Sequence, residues 1–443
     1  MLSRSVALNI TGGFASLAVG FVTTLLLANW LGAADRGLLG IMVTASSVGL
    51  ALAGLGLPMS VMYFSSRRDV RGGAILADTA LYGLLLALVF VPGAWLLRRP
   101  LSELLASGHG GRTWILAGAL VPLTFLDWTT HNQLLGKLRF GLYNVLVILS
   151  KIATLLLTVV LIGALDLGLV GGLVATMAAS VVMIGGSLPA IVRDGLHAPD
   201  RALFRRMIAY GGRVQVGSLL QVLNYRLDVL VLGLFAPLNE VGYYFVASFL
   251  AELVVTIANA FQSSVLPLVS HYEGEDRQAT TTIAAIRHHT ILALLATAAN
   301  AVFSPLVILF ALSSGYRPGL VPFFILLPSM VFLGTGTVVA GDLRGRGRPG
   351  LSSVYAGVAV VATIALDFAL IPPFGAVGAA IASVCAYSVY GIASLGGLAR
   401  VSGIPLRALA LPTRDDIALY RTVPSRLLRR VRTAASPPQP EQV

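Results

Sequence analysis

A few ionisable residues stand inside long apolar stretches of this chain, and they are the first place to look for its chemistry. Arg226 and Asp228 fall near the middle of an apolar run at 214–236, and Lys151 lies about nine residues into a run at 142–165. Glu252 sits within a run at 243–270, while Asp367 and Asp127 lie towards the ends of runs at 351–371 and 114–133. A charge at membrane depth costs at least ~2.5–3.5 kcal/mol on insertion scales, so such residues turn towards a bundle interior or a wet cavity. Two positions on a helix turn through about 200°, so Arg226 and Asp228 face different ways. Gln221, Asn224 and Asp228 share one stripe. The stripe is read as lining a cleft; Arg226 either reaches into that cleft or locks the bundle by pairing with Glu252 or Asp367. Arginine suits a cleft that holds an anion, because its fork binds phosphate or carboxylate oxygens in pairs and stays charged when desolvated. Lys151 is the other cationic candidate, with snorkelling to the interface as its alternative. Arg36, in a turn at about 32–37, is a loop charge or a gate. An acid in low dielectric can exchange a proton near neutrality, or hold Na⁺ when ionised. Asp228 and Glu252 are therefore candidates for ion coupling. Asp367 and Asp127 join them, with interfacial hydration as the alternative.

Elements able to position these residues follow from composition. Of 443 residues, 56% are hydrophobic and only 11% charged, and the mean hydropathy is +0.86. A soluble domain keeps about a quarter of its residues charged to wet its surface, so lipid must solvate this chain. Apolar runs fall at 6–31, 38–63, 74–97, 114–133, 142–165, 169–192, 214–236, 243–270, 288–312, 319–340, 351–371 and 376–399. They predict an all-α polytopic membrane protein of about twelve helices. Pro58, Pro92, Pro122, Pro267, Pro305 and Pro328 lie inside these runs, where bundle neighbours can satisfy the carbonyls a proline leaves free. The net charge of +12 resides mainly in short loops, which is a topology signal rather than a nucleic-acid footprint. With the N-terminus inside, the outer loops hold only Arg36, Arg98, Arg99, Arg112 and Arg317, a bias of about five to one. Both ends are expected on the cytoplasmic side.

Two passages suggest a repeat. Gly168-Leu-Val-Gly-Gly-Leu-Val-Ala-Thr176 resembles Gly375-Ala-Val-Gly-Ala-Ala-Ile-Ala-Ser383, and Asp35-Arg36-Gly37 corresponds to Glu240-Val241-Gly242. The offsets, about 207 and about 205 residues, enclose an even number of helices, so the halves have the same orientation. The expected domains are an N-terminal six-helix bundle at 1–200, a second at 201–400, and a basic cytoplasmic tail at 401–443, partly disordered. Arg426 to Arg432 could form a basic surface helix, and Ala434 to Val443 carries Pro437, Pro438 and Pro440.

The chain resembles the polysaccharide-transporter branch of the multidrug/oligosaccharidyl-lipid/polysaccharide flippase superfamily. Four passages carry the resemblance: Leu27-Ala-Asn-Trp-Leu-Gly-Ala-Ala-Asp-Arg-Gly37, Asn224-Tyr-Arg-Leu-Asp-Val-Leu-Val-Leu-Gly233, Val241-Gly-Tyr-Tyr244 and Ile371-Pro-Pro-Phe-Gly-Ala-Val-Gly-Ala-Ala380. The resemblance implies two parallel six-helix lobes forming a V around a central cavity. It also implies export of an undecaprenyl-diphosphate-linked oligosaccharide (an O-antigen, capsule or exopolysaccharide unit) across a bacterial inner membrane by alternating access. H⁺ or Na⁺, membrane lipids and a polysaccharide polymerase are the implied partners; nucleic acid is not. A drug/cation antiporter and a lipid II flippase, usually of fourteen helices, are the alternatives within the superfamily. No Ser/His/Asp order, P-loop, dinucleotide fold or metal-ligand spacing is evident. Neither a cofactor nor enzymatic activity is therefore expected. A membrane glycosyltransferase would need a large outer loop, and the longest here is about Arg98 to Arg112. The adjacent His288 and His289 are expected at an interface.

Overall fold

The computed structural model describes residues 2–67, 69–193, 195–271, 275–411, 413 and 416, so the expectations for Arg426–Arg432 and Ala434–Val443 lie outside the described residues. The described residues are predominantly helical, with no strand among them. By mutual packing the chain divides into two compact units. One comprises Met1–Ala251, Ala301–Leu326 and Ala356–Ala386; the other comprises Glu252–Asn300, Leu327–Tyr355 and Tyr387–Val443.

In the first unit, α1 (Leu2–Ala53), α2 (Leu57–Ser65), α3 (Gly72–Leu96) and α4 (Arg98–Ala106) are followed by α5 (Trp114–Gly136), α6 (Phe140–Thr158), α7 (Gly168–Val192), α8 (Arg201–Phe235) and α9 (Leu238–Glu252). The second unit holds α10 (Val255–His271), most of α11 (Glu275–Leu306), α13 (Ser329–Gly345), the two ends of α14 (Pro349–Ser402) and the short α15 (Leu406–Ala410), while α12 (Leu320–Leu326) and the remainders of α11 and α14 belong to the first. Among the described residues seven helices are long and apolar enough to cross a membrane, or up to nine if each bent pair makes one span. The chain is thus a multi-pass membrane protein. Two expected turns between spans lie inside single long helices: α1 is broken at Gly32 and α14 at Gly375, where the backbone leaves helical dihedrals.

Other expected spans divide where proline can begin a helix more easily than continue one. The run at 38–63 breaks at Leu55 and Gly56, both with positive φ, and Pro58 opens the following helix. The run at 319–340 bends by 55° before Ser329, beside Pro328, and the run at 243–270 bends by 46° after Glu252. Pro92, Pro122 and Pro305 remain inside helices.

Burial follows the logic of a lipid solvent. On α3, Leu81, Leu84, Leu85 and Leu88 point outwards, whereas Asp78, Thr79 and Gly83 are buried. Large apolar side chains can face hydrocarbon at no cost, while polar ones need partners. Asp78 accepts from the backbone N–H of Asp200 at 2.9 Å, and Asp200 caps α8 by accepting from the N–H groups of Ala202 and Leu203. A core of Leu50, Leu57, Val61, Ile75, Phe125 and Met207 joins α1, α2, α3, α5 and α8.

Two local motifs recur about 209 residues apart. Helix α5 ends with Arg139 N–H donating to the Leu134 carbonyl around Leu138, which has positive φ. Helix α13 ends with Arg348 N–H donating to the Leu343 carbonyl around Gly347, also at positive φ. Both are Schellman-type endings. Gly168 and Gly375, the turn positions of the two similar passages, have φ of 50° and 54°.

Candidate functional site

Within the first unit, α8 and α14 face one another with paired polar positions four residues apart. Asn224 and Asp228 lie on one buried stripe of α8, each 4% exposed, while Thr363 and Asp367 lie on one buried stripe of α14. The Thr363 hydroxyl donates to the Ala359 carbonyl at 3.0 Å and approaches Asn224 Oδ1 at 3.4 Å. Tyr244, from α9, donates a short hydrogen bond to Asp228 Oδ2, and Ser383 Oγ donates to the same oxygen at 3.3 Å. Asp228 Oδ1 accepts from the backbone N–H of Val229 at 2.8 Å.

Asp367 differs from its neighbours. It is 0% exposed, and neither carboxylate oxygen has a hydrogen-bond partner among the described residues. It lies near enough to Asp228 for the two charges to repel. An uncompensated buried carboxylate costs several kcal/mol, so a proton or a cation would stabilise Asp367 in this setting. Asp228, Tyr244, Ser383, Thr363 and Asn224 each bring a side-chain oxygen to this stretch of the unit. Such a set suits a proton or a hard cation of low charge and lacks the nitrogen and sulfur that transition metals favour. Among the described residues no three His, Cys, Asp or Glu converge as metal ligands.

The remaining sequence candidates lie elsewhere. Gln221 is exposed on α8, so of the expected stripe only Asn224 and Asp228 are buried. Arg226 is half-buried on α8 and Lys151 exposed on α6. Among the described residues neither Asp367 oxygen is hydrogen-bonded to Arg226. Glu252 is half-buried at the end of α9, where the helix bends. Asp127 accepts from Ser180 Oγ at 3.0 Å and lies 3.4 Å from His131 Nδ1. Its partners are local to α5 and α7. His289, expected at an interface, is buried in the second unit against Phe261, and neither ring nitrogen has a partner among the described residues.

Arg36 is 6% exposed, with its guanidinium stacked 4.6 Å from the centre of the Phe245 ring. It marks a close crossing of α1 and α9 at the two repeat-related passages. A Cβ on Gly37 would stand 2.2 Å from the Leu238 carbonyl oxygen, and one on Gly242 would stand 1.8 Å from that of Ala33. The helices can meet this closely only because glycine occupies the same position in both copies. Nearby, Asn29 donates to the Ala311 carbonyl and accepts from Ser313 N–H, and Tyr316 donates to the Ala28 carbonyl. Beside this crossing, Glu240 accepts from Ala376 N–H at 2.8 Å and closes over Gly375.

Tyr244, Thr363 and Ser383 were not sequence candidates for the site. Tyr244 and Ser383 do fall within the passages singled out for resemblance and repetition, and this was their only signal.

Comparison with known proteins places this geometry in context. The lipid II flippase MurJ, in an inward closed conformation, superposes with a TM-score of 0.73 at 16% identity, covering 91% of this chain and 89% of that one. A multidrug resistance MATE family transporter of the MOP superfamily, inward-facing, gives 0.73 at 17% identity, covering 90% and 99%. At such identities these likenesses establish the fold. A probable low-salt glycan biosynthesis flippase, Agl15 of Haloferax volcanii, is 25% identical over 229 residues, 51% of this chain and 47% of its own. The chain thus aligns with about half the length of that relative. A family model described as polysaccharide biosynthesis protein matches residues 2–273, more than half of the sequence, and the chain belongs to that family.

Proposed function

We propose that the protein is a flippase that carries a polyprenyl-diphosphate-linked oligosaccharide across a bacterial inner membrane by alternating access. Coupling is to H⁺ or Na⁺ held between Asp228 and Asp367. Family membership supports the substrate class, and the glycan flippase relative agrees with it. The observation that carries the coupling is the fully buried Asp367 carboxylate near Asp228, without a hydrogen-bond partner among the described residues. A group left in that state is stabilised by what it binds, and occupancy can then bias one conformation over another. Asn224 belongs with this cluster rather than with the substrate. Arg226, Lys151 and Gln221 are assigned to the substrate path, Arg226 holding the diphosphate. Arg36 is assigned to the crossing that closes the outer side. Glu252 at the α9 bend and Asp127 are secondary coupling candidates.

In this reading residues 1–200 and 201–400 act as two lobes, both chain ends are cytoplasmic, and a polysaccharide polymerase takes the exported unit. The test is complementation in a strain deleted for the gene. Asp228→Asn and Asp367→Asn should each abolish surface polysaccharide, with lipid-linked units accumulating inside and the protein remaining in the membrane. Normal export by both variants would refute the coupling role. Normal polysaccharide in the deletion strain would refute the function. A multidrug transporter shares the fold, and drug efflux without polysaccharide export would favour that second reading.

A further inference from the structure

Three of the five arginines expected in outer loops, Arg98, Arg99 and Arg112, fall in one loop. They converge on a cavity of about 290 Å³, lined also by Ser102, Glu103, Gly108 and Gly111. Three guanidinium groups against one carboxylate leave net positive charge. Arg98 is partly committed, donating to the Trp95 carbonyl at 2.5 Å and stacking on the Trp95 ring. Arg99 and Arg112 have no side-chain partner among the described residues. Ser102 lines the same cavity, is 5% exposed, and its hydroxyl has no hydrogen-bond partner among the described residues. A buried hydroxyl without a partner normally costs free energy, and Ser102 stands in the wall of this cavity.

The setting points to a lipid. The cavity lies along α4, which turns buried Ser102 and Ala106 inwards while Leu104 is exposed. The preceding Trp95, Leu96 and Leu97 are exposed too. A short helix with one apolar face, next to an exposed tryptophan, lies at the level of lipid headgroups. On the non-cytoplasmic side arginine runs against the charge bias that sets topology, so three together need another explanation. The corresponding turn of the second half, about 313–319, has only Arg317.

We propose that Arg98, Arg99, Arg112 and Ser102 form an anion site for the phosphate or diphosphate of a lipid at the membrane surface, separate from the Asp228 cluster. Its chemistry is that of paired guanidinium forks on phosphate oxygens. Assigning it to the diphosphate of the translocated carrier, held after crossing, rests on the flippase reading; the anion site itself rests on the cavity alone.

The test uses the purified full chain and measures binding of farnesyl diphosphate, inorganic diphosphate and phosphatidylglycerol by native mass spectrometry. The double variant Arg99→Gln/Arg112→Gln changes two exposed side chains and should leave the fold intact. Arg67→Gln, on a loop arginine paired with Asp69, is the control. Farnesyl diphosphate should bind the parent and the control alike and the double variant about tenfold more weakly, with inorganic diphosphate competing. The same loss confined to phosphatidylglycerol would assign the site to bulk lipid headgroups and overturn the carrier assignment. Loss for inorganic diphosphate without lipid preference would assign it to a free anion, overturning the lipid. Undiminished binding of all three by the double variant would overturn the site. None of these results touches the export reading, which is tested in cells through Asp228 and Asp367.

Discussion

Replacing Gly242 with alanine tests whether the α1–α9 crossing is a working contact. The new methyl carbon would stand 1.8 Å from the Ala33 carbonyl oxygen and 2.7 Å from its carbon. Contacts under 3.0 Å are essentially never seen for real Cβ atoms, so the helices must separate by about 1.2 Å. The atoms met are backbone, which cannot swing away as a side chain does. Overpacking of this kind costs about 1–3 kcal/mol. If the crossing forms in one transport state and opens in another, that cost falls on the closed state alone. It would shift the equilibrium about 5- to 150-fold towards the open one. Spin labels at Asp35→Cys and Asn239→Cys, both exposed positions, in a Cys385→Ser background, report the separation directly. The expected result is a short-distance population in the parent and a longer one with Gly242→Ala, with surface polysaccharide reduced. Gly212→Ala, where a Cβ meets nothing within 4 Å, should change neither. Unchanged distances and full export by Gly242→Ala would refute the reasoning.

Four further outcomes are expected. Arg226→Ala should abolish surface polysaccharide while membrane insertion, read by fractionation and blotting, is retained. Arg36→Met should keep the thermal midpoint within about 2–4 °C, since the long apolar side chain replaces the packing on Phe245 and the buried charge is weakly supported; export should fall if the charge serves the crossing. Ser180→Ala should cost about 0.5–1.5 kcal/mol by removing the hydrogen bond to Asp127, measured by denaturation in detergent, and leave export near normal. Thr413 holds the Asp416 carboxyl below the ordinary aspartate range through its hydroxyl and backbone N–H, with help from Arg287. A depressed carboxyl pKa gives stability that is present above the unfolded value, about 3.9, and lost as pH falls through the folded value. Trypsin cleavage after the exposed Arg407 should therefore be faster in Asp416→Asn than in the parent at neutral pH.

Much of this architecture was legible because lipid leaves so blunt a mark on composition. The all-helical membrane class follows from charge content alone. The four-residue spacing of Asn224 and Asp228 placed both on one stripe of α8 before any tertiary contact was known. What sequence could not supply was the meeting of that stripe with α14. Asn224 and Thr363 are 139 residues apart, and threonine inside a helix more often bonds its own backbone, as Thr363 also does. Asp367 stood out as an acid in an apolar run, yet its burial without a partner depends on neighbours that hydropathy does not register. The helix breaks at Leu55–Gly56 and after Glu252 escaped for a related reason: an apolar run reports transfer free energy and is silent about dihedral angles. Helix α4 was missed because nine residues with two arginines and a glutamate do not register as an apolar run.

The bond from Ala376 N–H to Glu240 has a mechanical consequence. It fastens the bend that follows α8 to the bend in the middle of α14, with no side chain on Gly375 to hold the two apart. Those two corners must then travel as one rivetted piece. Because α8 and α14 also carry Asp228 and Asp367, the proposed coupling would deliver any force that tips that corner to both acids together, and a change in their occupancy would push back along the same lever.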